Sequence, residues 1–196
     1  MRKLALSAVC LMAVLAGSVQ AAIYQPDLGH SYVGFSVRHM FSPVRGSFKK
    51  FDGKFNFDPK TRVLKDIQFK IAVESIDTQQ ADRDKHLKAP DFFDAAKYPE
   101  ITFVANSTQK VGKDGYKITG QMTMHGVTKT VTFNGKFMGS GKNPWGMNVA
   151  SFVASTKIDR KDFGINFNKA LDNGGVMIGN EVELTLEIEA VEQVQK

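Results

Sequence analysis

Four histidines, His30, His39, His86 and His125, are the groups in this chain best suited to proton transfer or metal ligation. They form neither a His-x-His nor a His-Glu-x-x-His spacing, and the one cysteine is Cys10, so a metal centre would have to be gathered from distant segments and none is expected. Ser140 stands between Gly139 and Gly141. A nucleophile elbow needs glycines two residues either side of the serine, where this chain has Met138 and Lys142, so the stretch reads as a flexible hairpin loop. No glycine-rich loop opens a helix to cradle phosphate, and no Gly-x-Gly-x-x-Gly follows a strand. Hydrolase, dehydrogenase and nucleotide-dependent chemistry all lack their marks. The expectation is a protein without catalytic residues that requires no cofactor.

The most chemically loaded stretch is Arg83-Asp84-Lys85-His86. Placed at the mouth of a cavity, Arg83 or His86 would bind the polar head of an amphiphile, since a guanidinium suits phosphate or carbonyl oxygens. The plainer account, which is preferred, has these side chains pairing with each other and with neighbouring loops to pin a short segment, the rest being a solvated face. His39, at a strand end, is the third head-group candidate and reads more simply as a satisfied structural imidazole.

The elements that must position these groups follow from pattern. The chain has 196 residues, a formal charge of +6 and 15 Phe against one Trp and four Tyr, an aromatic content that favours an apolar interior. Residues 1–21 read as a cleaved signal peptide: Arg2 and Lys3 precede an apolar run from Leu4 to Val14, and Val19-Gln20-Ala21 supplies the cleavage site. That run is short of the roughly 20 residues needed to span a membrane. Cys10 lies inside it after the bulky Val9, which argues against a lipoprotein. Residues 22–196 then form a single domain of net charge +4 with no cysteine, stabilised by packing alone in a periplasmic or secreted setting. Nucleic acid is not an expected partner. Contact with a membrane surface is expected to be transient at most, and the oligomeric state is left open, a dimer included.

Period-two alternation marks eight strands. On Tyr32 to Met40, Val33, Phe35, Val37 and His39 share a face; Phe51, Gly53, Phe55 and Phe57 do so before the Asp58-Pro59-Lys60 turn; Ile67, Phe69, Ile71 and Val73 follow. Ile101 to Ser107, Tyr116 to Met124, Val131 to Phe137, Val149 to Ile158 and Val182 to Ile188 complete the set, with turns at 112–115, His125-Gly126, 139–146 and Asn173-Gly174-Gly175. Such a chain is an all-β antiparallel sheet, closed into a barrel or folded into a sandwich. Long strands and the mid-strand glycines Gly34, Gly53, Gly120 and Gly135 favour the barrel. The exception is a helical excursion over about 78–97: a capping box from Asp77 to Gln80 opens a helix that Pro90 stops, and a second helical turn spans Asp91 to Lys97. Phe92 and Phe93 would anchor it as a lid over one barrel end.

The segment Asp82-Arg83-Asp84-Lys85-His86-Leu87-Lys88-Ala89-Pro90-Asp91-Phe92-Phe93, with Ala96-Lys97-Tyr98-Pro99 and Thr102-Phe103 after it, resembles the signature of the YceI-like family. Gly46-Ser47-Phe48-Lys49-Lys50-Phe51-Asp52-Gly53, Met124 to Lys129, Asn143-Pro144-Trp145-Gly146 and Lys161-Asp162-Phe163-Gly164-Ile165 resemble its other recurrent segments, in order. The resemblance covers essentially residues 22–196. It implies a lipocalin-like antiparallel barrel of about eight strands that binds polyisoprenoids, quinone-like or fatty-acid-like molecules in its interior, with no catalytic motif to carry over.

Rings that line a tunnel and rings that plug it give the same alternation, and the resemblance is what points to a tunnel. Its expected lining is Val33, Phe35, Val37, Phe55, Phe69, Ile71, Phe103, Met122, Met124, Phe133 and Phe152, with Phe92, Phe93 and Trp145 at the mouth or lid. The pliable thioethers suit variable aliphatic guests. Two other readings remain: an isomerase or hydrolase with His39 or His86 as acid or base, and a filled barrel acting through its surface as a stress-related interaction module. N-terminal sequencing of the protein recovered from a periplasmic fraction is expected to begin at Ala22; recovery there with Met1–Ala21 intact would overturn the signal-peptide assignment.

Overall fold

The computed structural model describes residues 21–171 and 175–193. The expected signal peptide, apart from Ala21, and the expected turn residues Asn173 and Gly174 lie outside them. The alternating segments form β1 (Ala22–Pro26), β2 (Tyr32–His39), β3 (Ser42–Phe48), β4 (Phe51–Asp58), β5 (Val63–Ala72), β6 (Ile76–Asp77), β7 (Glu100–Val111), β8 (Gly115–Met124), β9 (Val127–Lys142), β10 (Asn148–Asp159) and β11 (Ile178–Glu192). One α-helix, α1 (Ala81–Leu87), lies between β6 and β7. All strand pairs are antiparallel.

The ring runs β1-β4-β5-β7-β8-β9-β10-β11 and closes where Tyr24 to Pro26 pairs with Glu192 to Ala190. This is a closed barrel of eight staves, and the first three are each broken in two. β1 and β2 lie in succession along β11, β3 and β4 along them, and β5 and β6 along those. At the first break the Ser31 hydroxyl fills in for a missing rung, donating to Glu189 O at 3.0 Å and accepting from Glu189 N at 3.1 Å. The sequence pattern finds eight strands but not β1, β3 or β6. They are short, or carry Pro43 and Gly46, and are strands because long neighbours pair with them.

Two of the mid-strand glycines let the barrel curve. Gly53 pairs with Phe69, and a Cβ there would lie 2.7 Å from the Phe69 ring. A Cβ on Gly120 would lie 2.3 Å from Val104 O and 2.7 Å from Phe103 Cζ, beside the register shift between Ala105 and Ser107.

Three sequence expectations are corrected. Gly139, Ser140 and Gly141 are not a loop: they belong to β9 and pair with Ser151, Ala150 and Val149. The turn is confined to 143–147, where Asn143 Oδ1 accepts from Trp145 N and Met147 N at 3.1 and 3.0 Å. Asp77 does not cap the helix. It ends β6 and accepts from Gln79 N; Gln79 has φ +63°, which turns the chain so that Gln80 becomes the N-cap, accepting from Arg83 N. Residues 91–97 form hydrogen-bonded turns rather than a second helix, because Asp94 sits at φ +47° while Asp94 N and Ala95 N donate back to Ala89 O and Lys88 O.

The two barrel ends differ. The β4–β5, β7–β8 and β9–β10 turns gather at one end, where Tyr24, Phe57, Phe137 and Phe152 plug the interior: Phe57 meets Phe152 edge-on at 4.9 Å and Phe137 at 5.2 Å. Each buried ring contributes about 1.5–3 kcal/mol. At the other end residues 73–99 cross over the mouth. Gly120→Ala is expected to destabilise the fold by about 1–3 kcal/mol, because the methyl meets backbone and ring with no room to yield; a denaturant midpoint unchanged from wild type would refute that packing.

Candidate ligand-binding cavity

Between plug and lid lies a cavity of about 580 Å³, within the range of small-molecule sites. Its wall is built by period two: the inward residues of each stave face it, so the polar atoms of the strands are spent in the ladders and the surface offered is hydrocarbon and ring. Val33, Phe35 and Val37 come from β2, Phe55 from β4, Phe69 and Ile71 from β5, Phe103 from β7, Met122 and Met124 from β8, Phe133 from β9 and Phe152 from β10. All of these sequence-derived positions line the one cavity. Phe55 and Phe152, ring to ring at 5.4 Å, form its floor against the plug. Tyr116 also lines it, yet its hydroxyl donates to Arg62 O at 2.9 Å, so the ring face is what it offers. Burial pushes the Tyr116 phenol above the ordinary tyrosine value.

The lid is seated on rings and tied through one residue, Thr78. Phe93 meets Phe48 edge-on at 6.1 Å, and Phe92 packs on Phe167 at 4.8 Å. His86 stands edge-on to both Phe92 and Phe167 at 4.9 Å, with Nε2 2.7 Å from Asp91 Oδ2. Thr78 is buried at the base of α1. Its hydroxyl donates to Asp84 Oδ1 at 2.5 Å and accepts from Arg83 Nε at 2.7 Å, while Thr78 O accepts from Arg83 Nη2 at 2.7 Å and Thr78 N donates to Asp84 Oδ1 at 2.8 Å.

Arg83, His86 and His39 all line the mouth. Arg83 has Nε and Nη2 committed to Thr78, and His86 is tied to Asp91. The half-buried His39 ring has no hydrogen-bond partner among the described residues; its cross-strand neighbour is Ile178, where the β2–β11 register shifts. Trp145 is not at the mouth. It caps the β9–β10 turn at the plug end, 76% exposed, because β9 runs to Lys142 and carries the turn beyond the barrel rim.

The remaining histidines serve elsewhere. His125 Nδ1 donates to Phe163 O at 3.0 Å under the Tyr98 ring. His30 pairs with Asp27 at 2.9 Å on the surface, which raises the imidazole and lowers the carboxyl, and Glu189 brings a third ligand-type atom within 4.8 Å of theirs. That group is outside the cavity.

Sequence reasoning missed Arg160, Phe167, Lys169 and Met177, which also line the mouth end. For Arg160 a signal was present: Phe152, Ala154 and Ile158 alternate inward, and Arg160 is the next residue in that series.

The family model for the YceI-like domain matches residues 24–190. Protein YceI of Escherichia coli O157:H7 is 42% identical over 181 residues, 91% of each chain. The crystal structure of Burkholderia cenocepacia BcnA superposes with a TM-score of 0.73 at 27% identity, covering 86% of this chain and 99% of that one. A structure described as a polyisoprenoid binding domain from Saccharophagus degradans, implicated in plant cell wall breakdown, has a TM-score of 0.61 at 13% identity, covering 88% and 99%, and shares the fold.

Thr78→Val keeps the volume at the base of the lid but removes the hydroxyl that Asp84 and Arg83 share, leaving each its bond to the backbone of residue 78. It is expected to cost about 1–3 kcal/mol and to speed amide exchange over 81–98 while leaving β7 to β10 protected; unchanged exchange in the lid would show that Thr78 does not hold it.

Proposed function

The chain belongs to the YceI-like domain family, and from that premise we propose that its barrel is a non-catalytic binder of one long-chain apolar amphiphile, polyisoprenoid, quinone-like or fatty-acid-like, which it carries or stores after export to the periplasm. The observation that carries this reading is the cavity of about 580 Å³, walled by Phe, Met, Val and Ile and closed by an aromatic plug at one end and a tethered lid at the other. Such a volume in a core this apolar leaves contacts unmade, and a guest supplies them. The solved relative described as polyisoprenoid-binding adds support from the same fold.

The energetics favour an aliphatic guest. Each methylene moved from water into the wall contributes about 0.8 kcal/mol, so a long chain offsets its own immobilisation without polar contacts. A route for such a guest exists at the lid end, because α1 has no buried residue and its seat rests on Phe92 and Phe93. The lid is then the element that opens. No cofactor is required by this role, and His86 acts in it as part of the lid's seat.

Protein purified without detergent from its native cells is expected to yield, on organic extraction and mass spectrometry, one class of long-chain apolar molecule near one per chain. An empty extract, together with failure of the purified chain to take up a polyprenyl alcohol, would overturn the proposal.

A further inference from the structure

β10 presents one side inward along its length. Phe152, Ala154 and Ile158 line the cavity, and Arg160, two residues on, continues the same side into the 3-10 turn Arg160–Phe163 and lines it as well. The arginine is 5% exposed. Its Nε donates to Gly179 O at 2.9 Å and Nη1 to Ile165 O at 2.6 Å, which fixes the guanidinium in the wall of the cavity that Ile158, Ile165 and Ile178 also line. Nη2 has no partner among the described residues; the other buried side-chain atom in that condition is Asn180 Oδ1, next to Gly179.

A guanidinium stays protonated in a protein, and a buried cation without a counter-charge is costly. No carboxylate forms an ion pair with Arg160 among the described residues. The charge beside it is Asp159, exposed, with its carboxylate accepting from Lys161 N. Of the other polar groups that line the mouth, Arg83 is bound to Thr78, His86 to Asp91, Asp82 and Lys169 are exposed, and the His39 ring, without a partner among the described residues, is half-buried rather than enclosed as Arg160 is. A cation held at the mouth end of an apolar cavity, with one arm unpaired, matches a chain that ends in an oxygen anion, since a charge-assisted hydrogen bond is about twice as strong as a neutral one.

We propose that the cavity selects long-chain ligands ending in an oxyanion, carboxylate or phosphate, with Arg160 Nη2 as the head-group donor and the chain running toward Phe55 and Phe152. This rests on the apolar-binding reading above and adds to it a polarity and an orientation for the guest.

The test is displacement of the neutral apolar dye N-phenyl-1-naphthylamine from the full chain, at concentrations below micelle formation, by oleate, oleyl phosphate and oleyl alcohol. At least one of the two anions is expected to displace the dye about tenfold more tightly than the alcohol, and the tighter of the two names the head group. Equal displacement by all three overturns this inference alone; no uptake of dye or of any ligand overturns the apolar-binding reading with it. Because Nε and Nη1 also fasten Gly179 and Ile165, this comparison on the unaltered chain is decisive even where Arg160→Gln does not fold. In folded Arg160→Gln the preference should fall below about threefold with the alcohol unaffected, and its full retention overturns the role of Arg160. Arg83→Gln should keep the preference; its loss there assigns the head group to Arg83 and likewise overturns the proposal.

Discussion

The pairing of Tyr24, Gln25 and Pro26 with Glu192, Val191 and Ala190 joins the first strand to the last and, beside the β2–β11 ladder, completes the ring at the plug end. Without it β1 would lack its second neighbour, the last rungs of β11 would be an open edge, and the plug end of the barrel would part at this seam, while β2 still paired with β11 toward the mouth. The same few residues supply the plug. Tyr24, on the closing strand, is 1% exposed and stacks on Phe55 at 5.8 Å, so closure of the ring and closure of its floor are one event. Gln193 N, donating to Ile23 O at 2.7 Å, extends the seam by one more bond.

A ring of eight staves is wide enough that side chains either fill it or leave room for one guest. Here the rings are distributed unevenly. Five aromatic side chains crowd the end where the hairpin turns gather, and the space left toward the other end becomes the cavity. The crossover from β5 to β7 then covers the opening with a segment whose polar groups are mostly consumed in holding it. Thr78, Arg83 and Asp84 form one network and His86 with Asp91 another, so the charged stretch that looks most reactive in the sequence is the fastening of a cover. The cation with a buried, unpartnered arm is instead Arg160, in the wall.

Much of the barrel was legible because its logic is local. Alternation at period two survives in any sheet with one buried face, and the eight segments read from it are the long pieces of the eight staves. What was missed has a common cause. β1, β3 and β6 have too few alternating residues to declare themselves and are held as strands by partners far away in the chain. Gly139 to Gly141 looked like a loop because glycine marks turns, yet the β10 ladder reaches past them. Trp145 went to the wrong end of the molecule for the same reason: where a hairpin tip points depends on how many rungs precede it.

The sequence by itself determined the inward and outward faces, the strand class and the hydrocarbon character of the interior, since these depend only on residue type and spacing. Whether the rings would fill the barrel or leave a space was decided by tertiary structure, because that depends on how rings from different staves meet, as Phe57, Phe137 and Phe152 do. So was the fate of each polar group. Arg83 and Arg160 are the same residue type beside the same cavity, and only the positions of Thr78, Gly179 and Ile165 in space determine that the first lies exposed on the lid and the second is enclosed with one arm unpartnered.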